Sequence, residues 1–288
     1  MMVSFSIHPN IELGPVHLTV ADLDRSLRFY EEVLGFRSAS SQSGTASLSA
    51  DGASPLLVLT ERPGVRPRPR HSTGLYHYAL LLPSRLDLAR SLRRLAEQGH
   101  PLQGASDHGV SEALYLDDPD GNGIELYCDR DREAWPHHNE KLQLVTDPLD
   151  FDGLLAELEA DGRPWQGLPP QTRVGHVHLH VADLAQAEAF YCDLLGFDRI
   201  ARYGSQALFV SAGGYHHHLG LNTWAGQGAP PPPPDAAGLR HFTLCLPDRA
   251  EWERMAARLK ESGLAWEEQQ DGLLVRDPAA NGIVIGVS

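Results

Sequence analysis

The sequence predicts an α+β fold assembled from four βαβββ modules. Three observations predict it: an internal duplication, a change of hydrophobic period inside each repeat, and glycine and proline punctuation between elements. Residues 14–36 read GPVHLTVADLDRSLRFYEEVLGF and residues 175–197 read GHVHLHVADLAQAEAFYCDLLGF, with more than half the positions identical, so the chain is two duplicated halves. Deeper in each half, GLYHYALLLPSRLDLARSLRRLAEQG from Gly74 matches GLRHFTLCLPDRAEWERMAARLKESG from Gly238. Each half therefore holds two units.

Within a unit the order is an alternating strand, an Asp or Pro turn, an amphipathic helix, a glycine stop and then short strands. In the first unit Val16, Leu18 and Val20 alternate as a strand, Leu27, Tyr30 and Leu34 share one helical face, and Gly35 ends the helix. The units run over 11–62, 73–130, 172–225 and 237–288, giving a first domain at 1–130 and a second at 172–288. RPGVRPRPRHST and GQGAPPPPPDAAG separate the units within each half, and both are too proline-rich to supply a central strand. Residues 131–171, with a short helical pattern at LDFDGLLAELEAD, form the interdomain connection.

Composition narrows the function. With 288 residues, 42% hydrophobic and 22% charged, the chain can bury proper cores. A net charge of −14 disfavours nucleic acid and anionic membrane, whose phosphates would repel it, and points to a small-molecule partner. The opening MMVSFSIHPN has no basic-then-apolar leader pattern and no apolar run reaches spanning length, so the expectation is a soluble, cytoplasmic protein. Cys128, Cys192 and Cys245 are odd in number and far apart, which argues against a disulfide frame or thiolate zinc site. Histidine, at fifteen residues, is the unusual component, and several sit inside apolar alternating stretches.

The string VADLxxSxxFYxxvLGF after a His-bearing strand, and DPDGNGIELYCDRDREAW closing a half, resemble the vicinal oxygen chelate superfamily of glyoxalase I, antibiotic-resistance proteins and extradiol dioxygenases. The tracts DHGVSEALYLDDPDGNGIELYCDR and FVSAGGYHHHLGLNTW look most like the two-domain catechol 2,3-dioxygenases. The resemblance covers nearly the whole chain. It implies that paired modules form cupped, incomplete barrels holding a divalent metal, with ligands on the first strand of one module and the first and last strands of its mate. For ring cleavage it implies Fe(II), with Mn(II) or another divalent ion as alternatives, and a small aromatic substrate with O2 as partners. Two imidazoles and one carboxylate would hold the metal and leave open positions for both catechol oxygens and dioxygen.

The family register places a ligand seven residues before the Asp of VADL, which is His176 in the third module and Pro15 in the first. The second module offers His77 and, in GNGIEL, Glu125; the fourth offers His241, but ANGIVI puts Val284 at the carboxylate position. If each half closed on itself, both sets would be incomplete. If module two faces module three and module one faces module four, His77, Glu125 and His176 form one full set while Pro15, His241 and Val284 form an empty one. We expect the second arrangement. In the rival arrangement His17 would have to replace Pro15 from two residues further along the strand, about 6.6 Å away.

The resemblance also implies that His217 exchanges protons with substrate, that Tyr115 bonds a substrate oxygen, and that His108 supports it. A one-residue error in strand register would exchange His217 with His216 or His218. Each assignment has a plainer rival: His77 and His241 as hydrogen-bonded core histidines, the HHH run as a surface tract, His178 and His180 as mere cavity lining, and Trp135 and Trp224 as packing. Glu125 resists the plain reading, because a carboxylate inside the apolar IELY strand is costly unless paired. Two other functions share the fold: a glyoxalase-like isomerase, which wants a second carboxylate, and a metal-free binding protein, which needs no ligand triad. Ring substituents and oligomeric state, a homo-oligomer included, stay open.

Overall fold

The computed structural model describes residues 5–139, 141–159, 161 and 163–288. Module one contains β1 (Glu12–Val20), α1 (Leu23–Arg28), β2 (Arg37–Gln42), β3 (Thr45–Ser49) and β4 (Pro55–Glu61). Module two contains β5 (Gly74–Leu81), α2 (Arg85–Glu97), β6 (Gly104–Asp107), β7 (Ser111–Asp117) and β8 (Gly123–Asp129). The connection carries two-residue strands β9 (His137–His138) and β10 (Lys141–Leu142), and α3 (Phe151–Ala156). Module three contains β11 (Arg173–His180), α4 (Leu184–Glu188), β12 (Asp198–Tyr203), β13 (Ala207–Ser211) and β14 (Leu219–Asn222). Module four contains β15 (Gly238–Leu246), α5 (Arg249–Ser262), β16 (Trp266–Gln269), β17 (Gly272–Arg276) and β18 (Gly282–Val287). Part of the helical pattern LDFDGLLAELEAD, at residue 160, lies outside the described residues.

Apart from the separate β9–β10 pair, the strands form two eight-stranded curled sheets, ordered β16-β17-β18-β15-β1-β4-β3-β2 and β12-β13-β14-β11-β5-β8-β7-β6. Module one therefore joins module four through antiparallel β1 and β15, and module two joins module three through antiparallel β5 and β11. This is the crossed pairing, and neither half closes a sheet alone. Inside each module the first and last strands run parallel, as β5 beside β8 and β11 beside β14. A parallel neighbour requires a crossover, and the helix of each module supplies it.

One apolar core runs through all four modules, including Val16, Leu80, Val177 and Phe242. The predicted helix of module one differs in detail. After six α-helical residues, capped by Asp22 accepting from the Arg25 amide, it widens into a π-helical segment at Phe29–Val33, and module three repeats this at Ala189–Leu194. The wide turns contain Tyr30 and Tyr191, which donate to Asp118 Oδ2 at 2.8 Å and Asp277 Oδ2 at 3.0 Å in the second module of the same half. Gly35 and Gly196 stop these segments at φ of 83° and 86°, a left-handed geometry that penalises a side chain. Each half is thus tied together by buried tyrosine-to-aspartate bonds, while the sheets are built across halves.

Candidate metal centre

Strand pairing arranges the second sheet's inner face in two rungs. Along one, Tyr115 of β7, Glu125 of β8, Ala79 of β5 and His176 of β11 are successive partners. Along the next, Asp117, Gly123, His77 and His178 occupy the same four strands. Residues two apart share a face, so His77 stands beside the first rung. Ala79 contributes only a methyl group between Glu125 and His176, which leaves the space above it to their side chains. Gly220 acts similarly beside the second rung: a Cβ there would come within 2.7 Å of the His178 ring.

His77, Glu125 and His176 converge. Each offers a ligand atom within 4.8 Å of the others, and all three residues are buried. His176 Nε2 lies 2.9 Å from Glu125 Oε2, and His77 Nε2 lies 3.0 Å from the same oxygen. The His77 contact is outside hydrogen-bonding direction, so this buried nitrogen has no hydrogen-bond partner. An orphaned buried nitrogen beside a shared carboxylate oxygen is costly in a plain core and ordinary in a metal centre. The set of two imidazoles and a carboxylate fits a divalent ion. Burial pushes the Glu125 carboxyl up, but the His176 and His77 rings outweigh burial and hold it well below the usual carboxylate range. Burial lowers His77 despite Glu125. A carboxylate anion beside a neutral imidazole is the form that ligates.

The triad opens into a cavity of about 730 Å³. Tyr115, His108 and His217 line it as well, so the six residues singled out from the sequence face one space. His108 places Nδ1 2.8 Å from the Val145 carbonyl and Nε2 2.6 Å from Tyr115 Oη. Because a carbonyl only accepts, Nδ1 carries the proton and Nε2 accepts from the tyrosine hydroxyl. The phenol oxygen keeps its lone pairs for another partner.

The histidine run resolves by burial and bonding. His217 faces the cavity, with its ring 4.2 Å from that of His176. His216 is fully buried and places Nε2 2.9 Å from Asp129 Oδ1 and Nδ1 2.7 Å from His217 Nδ1. His218 turns to Ser211 Oγ at 2.8 Å. With Asp129 Oδ1 as acceptor, His216 Nε2–H donates to it, so His216 Nδ1 accepts from His217 Nδ1 and the remaining His217 nitrogen, Nε2, is left as an acceptor. Burial, followed by the neighbouring His176 and His216, holds His217 well below its ordinary value and keeps it neutral.

Several contributors were not anticipated. Asp129 lies in the DRDRE tract just past Glu125, where it reads as a surface charge. The connection expected only to join domains supplies Leu144, Val145 and Thr146 to the cavity wall, pairing Asp107 with Asp147 at the β6 edge. Trp224 lines the cavity, whereas Trp135 packs against His216 with ring centroids 5.4 Å apart. Asp118 and Asn122 shape the turn before β8: Asp118 accepts from the Asn122 amide at 2.8 Å and from its side chain at 2.9 Å. His180 is bonded to Asn222 Oδ1 at 2.7 Å.

In the other sheet, His17 and His241 face each other across β1 and β15 and stack with centroids 4.1 Å apart. Val284 is buried at the position that Glu125 holds in the second sheet. Among the described residues, His77, Glu125 and His176 are the cluster able to hold a metal.

The family model described as Glyoxalase/Bleomycin resistance protein/Dioxygenase superfamily matches residues 12–126 and 173–272. Catechol-2,3-dioxygenase of Bacillus subtilis (strain 168) is 47% identical over 282 residues, 97% of this chain and 98% of that protein. Biphenyl-2,3-diol 1,2-dioxygenase 3 of Rhodococcus globerulus is 30% identical over 114 residues, 39% of this chain and 60% of that protein. A crystal structure of a putative dioxygenase from Bacillus subtilis subsp. subtilis str. 168 superposes with TM-score 0.69 at 13% identity, covering 98% of this chain and 86% of that one. Glyoxalase I of Zea mays superposes with TM-score 0.57 at 17% identity, covering 96% and 93%. These two structural likenesses speak to the fold.

Proposed function

The chain belongs to the glyoxalase/bleomycin resistance protein/dioxygenase superfamily, and from that premise we propose that it is an extradiol ring-cleaving dioxygenase, taking a catechol and O2, with His77, Glu125 and His176 holding Fe(II). The observation that carries the reading is the meeting of two imidazoles and one carboxylate, drawn from both halves, in a cavity also lined by Tyr115, His108 and His217. The near full-length dioxygenase relative supports the same activity. Among the described residues no second carboxylate joins the ligand cluster, which disfavours an isomerase that needs one as base.

His77, Glu125 and His176 would hold the metal, which would supply the Lewis-acid and redox chemistry that a catechol and O2 need. The chain's own residues manage protons and orientation. His217 Nε2 accepts a proton from a catechol hydroxyl, and the bonds through His216 to Asp129 fix the ring's tautomer and angle. Tyr115 accepts from the other hydroxyl through its free lone pairs while donating to His108, whose orientation the Val145 carbonyl fixes. The protonated His217 then returns its proton as the ring opens.

The protein's setting is read as cytoplasmic, supported by three unpaired cysteines; no helix among the described residues is long and apolar enough to cross a membrane. Anaerobic loading with Fe(II), then catechol and air, tests the function. A yellow ring-opened product with both oxygen atoms from O2 is the expected result. Stoichiometric iron without ring opening would favour the isomerase, and failure to take up any divalent ion would favour a binding protein.

A further inference from the structure

The cavity is far larger than a bare catechol ring and its outer part is built for something specific. Among the described residues lining it there is no lysine or arginine. Its two carboxylates are Glu125, committed to the ligand cluster, and Asp117, which shares the inner face with Tyr115 two residues away. His100 is the basic side chain near Asp117, and it lies outside the lining. Aromatic side chains line the same cavity: Tyr76 meets Trp224 edge-on at 5.2 Å and His178 at 5.1 Å, while Phe209 meets His178 at 5.7 Å. At the mouth Tyr76, Trp224 and Tyr203 remain 40%, 43% and 63% exposed. Large apolar side chains exposed around a cavity are covered when an apolar group enters it.

We propose that this cavity selects catechols whose ring substituent is uncharged and apolar and rejects those bearing a carboxylate. The inference rests on the ring-cleavage reading. A carboxylate carried into this space would lose its water without meeting a cation and would face Asp117 instead, the arrangement that makes a buried charge most costly. An alkyl or aryl substituent brings no charge to desolvate and covers Tyr76, Trp224 and Phe209, which line the cavity. Asp117 is thus a specificity-determining residue rather than a catalytic one.

The test uses the iron-loaded full chain, with 4-methylcatechol and 3,4-dihydroxybenzoate compared by kcat/KM and by anaerobic binding read from quenching of tryptophan fluorescence. The expected preference for 4-methylcatechol is at least about 100-fold in kcat/KM, with the same ranking in binding. Asp117→Asn should narrow the gap and Asp117→Lys should narrow it further, to below about tenfold, since each step removes repulsion or adds a partner. Thermal unfolding verifies that both variants fold, and Asp117→Asn alone suffices if the lysine variant does not. Equal turnover of the two substrates by the wild type would overturn the inference while leaving ring cleavage standing. An unchanged gap in a folded Asp117→Asn would remove Asp117 from the account, and cleavage of neither substrate would overturn ring cleavage and this selectivity with it.

Discussion

The two sheets are built from the same repeated pattern and differ in what their inner faces hold. Where the second sheet pairs Tyr115 with Glu125 and Glu125 with Ala79, the first pairs Leu274 with Val284 and Val284 with Thr243. His77 faces His178 in one, and His241 faces His17 in the other. Beside His178 stands Gly220, which leaves the ring room, whereas beside His17 stands Val58. The supporting turns do not diverge. Asp118 with Asn122 and Tyr30, and Asp277 with Asn281 and Tyr191, make matching bonds in both halves. Both halves keep the residues that make these turns, whereas among the described residues the cluster able to hold a metal lies in one sheet alone.

The largest expected effect is Glu125→Gln, which should strip the bound metal and take activity to background, because a neutral amide replaces the one anionic ligand. Retention of stoichiometric iron by that variant would break the site as described. Next, His217→Ala should keep metal and substrate binding yet lower kcat by roughly 10²–10⁴, the usual worth of a positioned acid–base group. A loss of that size in His218→Ala with a normal His217→Ala would shift the assignment by one position.

The converse substitution sharpens the contrast between sheets. Val284→Glu would bury a carboxylate beside His241 without the third ligand, since Pro15 cannot supply one. It should cost about 3 kcal/mol or more, lowering Tm by roughly 6–12 °C for a chain of this size. A second equivalent of bound metal in that variant would show the first sheet to be one residue from a site.

The smallest effect concerns pH. Burial, then Arg240, lowers His17 to about 4, and burial, then His17, lowers His241 to about 3, each from 6.5. Below 6.5 the unfolded chain binds protons that the native rings refuse, so stability falls as pH drops from 6.5 through this range. His241→Phe should flatten part of that loss in the metal-free protein, as read by unfolding midpoints between pH 7 and 4. An identical pH slope would show that the stacked pair does not contribute.

Much of this was legible in the sequence because duplication makes absences visible. Pro15 and Val284 stand out only when set against His176 and Glu125, and the crossed pairing follows from asking which arrangement collects a whole set. The alternating period likewise separates His217 from its neighbours once the register is known. What could not be read depends on long-range packing. Asp129 is recognisable as a partner only when β8 brings it to His216, and Val145 reaches His108 only because the connection folds back along β6. Nor does periodicity distinguish the π-helical turns at Phe29–Val33 and Ala189–Leu194 from ordinary helix, and the bond that each makes, from Tyr30 or Tyr191, goes to an aspartate more than eighty residues away.

The central claim is that the metal centre is assembled from both halves of the chain, and bound iron in three single variants tests it most directly. His176→Ala should abolish stoichiometric metal binding, while His241→Ala and His17→Ala should leave it nearly untouched, because those two belong to the sheet lacking a carboxylate. Loss of metal in His17→Ala with full retention in His176→Ala would contradict the account.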